Sequence, residues 1–123
     1  HTIMNSFELF GGPHAFSLAW TTSRFRQENP LLYKAFFNAF TEATERVRAD
    51  KREAAELWIA GVKSKLPPDE VERILSGKDV DWTMTPVKTM EFAAFMHKVG
   101  TLKVMPEKWT DYFFPEAHGM PGS

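Results

Sequence analysis

The chain of 123 residues contains no cysteine. That excludes disulfides, thiolate nucleophiles, cysteine-ligated zinc and iron–sulfur clusters. It fits a cytosolic or a periplasmic protein equally well. Nor does any stretch approach the ~18 consecutive apolar residues that would mark a spanning helix. Neither sign of charge prevails: fifteen Lys and Arg face sixteen Asp and Glu, a formal net charge of −1. Such a balance exerts no global pull on nucleic acid or anionic lipid. Glycine is sparse, and Gly11-Gly12-Pro13 has neither the spacing of a dinucleotide fingerprint nor the Lys-Ser/Thr of a phosphate loop. The sequence opens on His1-Thr2-Ile3-Met4 without a basic or apolar leader. This start suggests a processed or truncated product whose targeting signal lies upstream.

Aromatic residues, in contrast, are plentiful, with eleven Phe and four Trp, and hydrophobic residues make up 43% of the chain. This content excludes a disordered tail, and the length suits one domain with a core. The most informative stretch runs from Gly11 to Pro30. A glycine-proline break leads into Phe16-Ser-Leu-Ala-Trp-Thr-Thr22, an apolar β-prone run, and a polar connector then ends in Asn29-Pro30. The grammar is loop, buried strand, helix, which predicts an α/β architecture. Since one or two strands cannot satisfy their own backbone groups, the missing strands must come from a larger α/β protein or from a partner.

The remainder reads as helices. Thr2 to Phe10 is an extended segment on this reading. Pro30 opens a helix to about residue 48, with apolar residues at Leu32, Tyr33, Phe36, Phe37, Phe40, Ala43 and Val47 at a 3.6-residue period. Asp50 and Glu53 stand in capping-box register before a second helix with Ala54, Leu57, Trp58 and Val62 on its apolar face. Pro67-Pro68-Asp69-Glu70 starts a third helix, closed by Gly77. Val80 to Met84 is short and extended. Thr85-Pro86 starts a fourth helix ending at Gly100, and an aromatic cluster, Trp109 to Phe114, precedes the tail Pro115 to Ser123. Without a repeat or a linker, residues 1–123 are expected to form one unit.

Chemistry-bearing patterns are few. His1, His14, His97 and His118 lack the i, i+4 pairing or carboxylate partner of a helical metal site, so no metal is expected. His97 suits the end of its helix, where a cation complements the dipole. Gly11-Gly12-Pro13 reads as a tight turn; its functional reading is a loop whose amides approach a small anion. The mixed-sign run from Glu42 to Glu56 is a solvated helix face, and the Phe36, Phe37 and Phe40 stripe is core. The cluster from Trp109 to Phe114 is a packed edge or else a partner surface. No carboxylate pair suggests acid–base catalysis, so no enzyme activity is expected.

Taken together, Asn5-Ser-Phe-Glu-Leu-Phe-Gly-Gly-Pro13, Phe16 to Phe25, Glu28-Asn-Pro30, Ala39 to Glu56, Phe92 to Thr101 and Trp109 to Ser123 resemble the C-terminal part of a known family. It is the nitrate/sulfonate/taurine-type solute-binding proteins of bacterial ABC importers, which include thiamine-pyrimidine-precursor binders. The likeness covers nearly all of this chain and less than half of a typical member. It implies a type II periplasmic binding protein fold, two α/β lobes around a ligand cleft, of which this chain would be a mostly helical C-terminal fragment with one or two strands. Residues 1–14 would form the crossover between lobes, and residues 15–123 a strand with its covering helices. The resemblance implies a periplasmic location, a small organic or anionic solute as ligand, an ABC permease as partner and no cofactor. Carried over by position, the ligand-binding residues are Asn5, Ser6, Phe7, Gly11, Gly12, Pro13 and His14, with Phe7 as an apolar wall.

Two rivals stand beside this reading. One is a stand-alone helical interaction module that binds a protein partner through its aromatic tail. The other is an enzyme of the pyrimidine-precursor synthase branch, which needs a cleft histidine and lysine where only His14 is a candidate. An isolated fragment is also expected to associate as a homo-oligomer by strand exchange through Phe16 to Thr22.

Overall fold

The computed structural model describes residues 1–123 and contains helices but no β-strand. The α-helices are α1 (Ser6–Leu9), α2 (Ser23–Glu28), α3 (Pro30–Ala49), α4 (Lys51–Val62), α5 (Pro68–Leu75) and α6 (Thr89–Lys98). Single 3₁₀ turns follow at Trp109–Asp111 and Pro115–Ala117. The expected α/β fold, with a type II periplasmic binding sheet, is therefore not the architecture of this chain. The strand expected over Phe16 to Thr22 is an irregular segment free of turns and bends. A strand exists only as part of a ladder, and the rest of the chain, having folded into helices, offers none.

The chain forms two compact units, one of residues 1–19 with 84–123 and the other of residues 20–83. In the second unit, Thr22 Oγ1 accepts the Phe25 N–H at 3.0 Å and starts α2 within the segment expected to be a polar connector. An Arg24–Glu28 pair at i, i+4 and 2.8 Å supports that short helix. Asn29 ends α2, its own N–H reaching the Phe25 carbonyl, and Pro30 then begins α3. The Asn29 side chain does not cap α3; its Nδ2 donates back to Phe25 O at 3.1 Å. Asp50 does cap α4, accepting the Glu53 N–H at 2.8 Å.

The tightest packing in this unit is of α4 on α5, where Ala55 is wholly buried and Val71 nearly so. At their rim, Arg52 donates to Glu56 at 2.9 Å, to Glu72 at 3.3 Å and to Asp69. These three carboxylates hold the guanidinium above its ordinary pKa, the Asp69 hydrogen bond contributing most. All four side chains are open to water, so the cluster fixes the register of the two helices more than it stabilises them. Just past α4, Lys63 adopts a left-handed conformation (φ 53°), which lets the Ser64 N–H close on Ile59 O at 3.1 Å.

In the first unit, α6 starts at Thr89, three residues later than Pro86 promised, because Lys88 breaks into the left-handed region at φ 54°. It ends as predicted by a glycine: Gly100 N–H reaches His97 O at 3.0 Å and Thr101 N–H reaches Met96 O at 2.9 Å, a Schellman closure. The tail folds back on the start of α6. Ser123 O accepts from Thr89 N at 2.6 Å and from Thr89 Oγ1 at 2.8 Å, while Ser123 N donates to Pro86 O at 2.9 Å. The buried Thr89 hydroxyl also accepts from Tyr112 Oη at 2.8 Å. Gly122 lies against Trp109 and Pro86, where an added Cβ would sit 2.8 Å from the indole.

Burial across the chain is thin. Ala55, Val71 and Ala93 are the only buried hydrophobic residues, and no large side chain is fully enclosed.

Candidate functional site

Asn5 Oδ1 accepts the Glu8 N–H at 2.8 Å and thereby starts α1, where an extended segment was expected. A single turn later the chain must stop, and Gly11 (φ 66°) and Gly12 (φ 132°) supply the backbone conformations that stop it. Gly12 N–H bonds Phe7 O at 2.7 Å and Gly11 N–H reaches Glu8 O at 3.4 Å, another Schellman closure. Both glycine amides are thus spent on ending α1. The anion-cradling reading of this loop has no free backbone donors at these two positions, and the turn reading describes them.

The turn carries His14 into an aromatic cluster. Its ring centroid lies 5.0 Å from Phe7, 4.9 Å from Phe10 and 5.7 Å from Phe92 of α6, and Phe10 and Phe92 approach to 4.4 Å. His14 Nδ1 stands 3.2 Å from Gly12 O. A carbonyl can only accept, so Nδ1 carries the hydrogen of this contact. Ala15 N–H bonds Val87 O at 2.8 Å and ties the turn to the residue before Lys88.

Lys88 completes the arrangement from 78 residues away. Its ammonium donates to Phe10 O and lies 3.9 Å from Glu91 Oε1, with a quarter of the side chain exposed. A Cβ on Gly11 would come within 3.7 Å of this nitrogen, ordinary contact distance, so glycine is required there by its φ rather than by the lysine. The unusual backbone of Lys88 costs about 1 kcal/mol for a residue with a Cβ. Two bonds hold it: Lys88 N donates to Ser123 Oγ at 2.9 Å, and the side chain is anchored at Phe10.

Of the expected site residues, Phe7, Gly11, Gly12 and His14 therefore gather beside Lys88 and Phe92. Asn5, Ser6 and Pro13 lie on the exposed side, Asn5 as a helix cap and Ser6 as the carbonyl partner of Phe10 N–H at 2.9 Å. Compared with protein-family models, curated proteins and solved structures, the chain matches none. The site therefore rests on its own chemistry: one ammonium, one imidazole and aromatic walls. No group of three His, Asp or Glu side chains is placed to hold a metal.

Sequence reasoning missed Lys88 and Phe92. The available signal was a lysine between Pro86 and an apolar helix, at the position where that helix had to begin. Away from this cluster, a concavity of about 360 Å³ lies between α3 and α4, lined by Ala39, Ala43, Val47, Ala54 and Leu57 and crossed by the Arg46–Glu53 pair at 2.7 Å. Its one cation is already neutralised.

Proposed function

We propose that the chain is a solute-binding component of a bacterial ABC import system and that it holds the anionic end of a small solute at Lys88. The carrying observation is the Lys88 ammonium anchored on Phe10 O beside the Gly11–Gly12 turn, which carries His14 against Phe7 and Phe10. An ammonium has three donors, and Lys88 directs them at one carbonyl and one distant carboxylate, which leaves capacity for an acid group of sulfonate or carboxylate type. Phe7 and Phe92 provide apolar walls for the rest of the solute, and His14 Nε2 a polar contact. Capture followed by docking on a permease, in the periplasm, is the role that the family resemblance supplies.

Calorimetric titration with taurine, nitrate and a neutral pyrimidine tests this reading. Binding of an anionic solute that Lys88→Met weakens at least tenfold is the expected outcome. Absence of heat with all three up to millimolar concentration, or binding indifferent to Lys88→Met, refutes it.

A second reading, a helical interaction module, is favoured by the accessible surface. The chain exposes 9535 Å² for 14.1 kDa. Even two independent bodies of half that mass would together expose only about 8,100 Å². The aromatic tail is not the surface in question, since Trp109, Phe113 and His118 pack on one another with centroids 5.6 and 6.0 Å from Trp109. Silence in the solute titration, combined with saturable binding of a protein partner, would select this reading.

A further inference from the structure

From Phe16 to Thr21 the chain makes no backbone hydrogen bond. Ala15 N–H is the last donor engaged before this stretch, and Thr22, through its carbonyl and hydroxyl, is the first group engaged after it. Apolar and small residues alternate along it. Phe16, Leu18 and Trp20 are 89%, 55% and 88% exposed, Ser17 and Ala19 lie between them, and Thr21 follows. No acidic or basic side chain other than His14 occurs between Glu8 and Arg24. A straight, proline-free, uncharged run with unpaired backbone groups is a template for pairing with another strand.

We propose that this segment pairs with its counterpart in a second copy of the chain, forming a two-fold antiparallel β-ribbon. The register is set by the residues. With Leu18 opposite its own symmetry mate, Phe16 faces Trp20 of the other copy and Ser17 faces Ala19. All six large apolar side chains then share one face, and two aromatic cross-strand pairs form, a favourable combination. A slip of one residue would scatter them over both faces. This inference is independent of solute binding, because it uses none of the residues around Lys88.

Sedimentation equilibrium from 1 to 200 µM, together with amide exchange at residues 16–21, tests it. The expected result is a monomer–dimer equilibrium in which protection of these amides rises with concentration. Leu18→Lys sets two ammonium groups opposite each other on the two-fold axis and should weaken the dimer at least tenfold at low salt, with partial recovery at high salt. Leu18→Pro should abolish the dimer while the far-ultraviolet helical signal is unchanged. A monomer throughout the range overturns the proposal. So does a dimer indifferent to both substitutions, or protection of these amides in the monomer.

Discussion

Replacing Gly122 by alanine tests how the first unit is held together. The added methyl would lie 2.8 and 2.9 Å from two ring carbons of Trp109 and 2.9 Å from Pro86 Cγ. Neither neighbour is a flexible side-chain end, since the indole is rigid and the pyrrolidine is part of the backbone. Two responses compete. The tail could lift away, losing the four hydrogen bonds that Ser123 makes to Pro86, Lys88 and Thr89, at about 1 kcal/mol each. Alternatively the rings shift and the strain is carried, which costs about 1–3 kcal/mol in overpacked cores. The second is cheaper, so the tail should stay seated and stability should fall by about 2 kcal/mol. For a body of this size that corresponds to a drop of about 8–16 °C in Tm. Gly119, with nothing within 4 Å of its added methyl, is the control. Scanning calorimetry of the two alanine variants beside the parent gives the answer. Equal Tm values for all three would refute the packing argument, and rapid exchange of the Thr89 amide in Gly122→Ala would show that the tail had lifted instead.

Two further substitutions act on the second unit in opposite directions. Lys63→Gly removes a side chain from a left-handed position at the end of α4 and should stabilise the protein by about 1 kcal/mol, seen as a higher urea midpoint with an unchanged slope. Ala55→Leu forces three extra carbons into the fully buried contact of α4 with α5 and should cost about 1–3 kcal/mol by the same measurement.

Where a local signal and its partner lie within a few residues, the sequence was legible. The Asp50 cap, the proline start of α5 and the glycine stop after α6 act through contacts three to five residues long and are where the pattern put them, although the Glu53 carboxylate goes to Arg46 rather than back to Asp50. Two short helices escaped notice because their caps, Asn5 and Thr22, sit in segments too brief for a hydrophobic period to register. The apolar stripe of α3 was visible, yet Leu32, Phe36 and Phe40 are exposed while Tyr33, Phe37 and Val47 are half-buried. Periodicity marks an apolar face and says nothing about what covers it. Phe16 to Thr22 failed for a related reason: β-propensity reports fitness for a ladder, and the ladder must be supplied from elsewhere. In the candidate site, the turn was readable from two adjacent glycines. Lys88 was not, because only the fold brings it next to Phe10.

The return of Ser123 to Thr89, and of Ala15 to Val87, has a consequence for biosynthesis. The unit spanning residues 20–83 is continuous, with its helix pairs close in sequence, and can fold while the ribosome is still adding residues beyond it. Residues 1–19 have emerged long before their partners exist. They must wait, with Phe7 and Phe10 in water, until translation has passed Phe92. During that interval Phe7 and Phe10 are the kind of exposed aromatic residues on which a chaperone would hold a nascent chain.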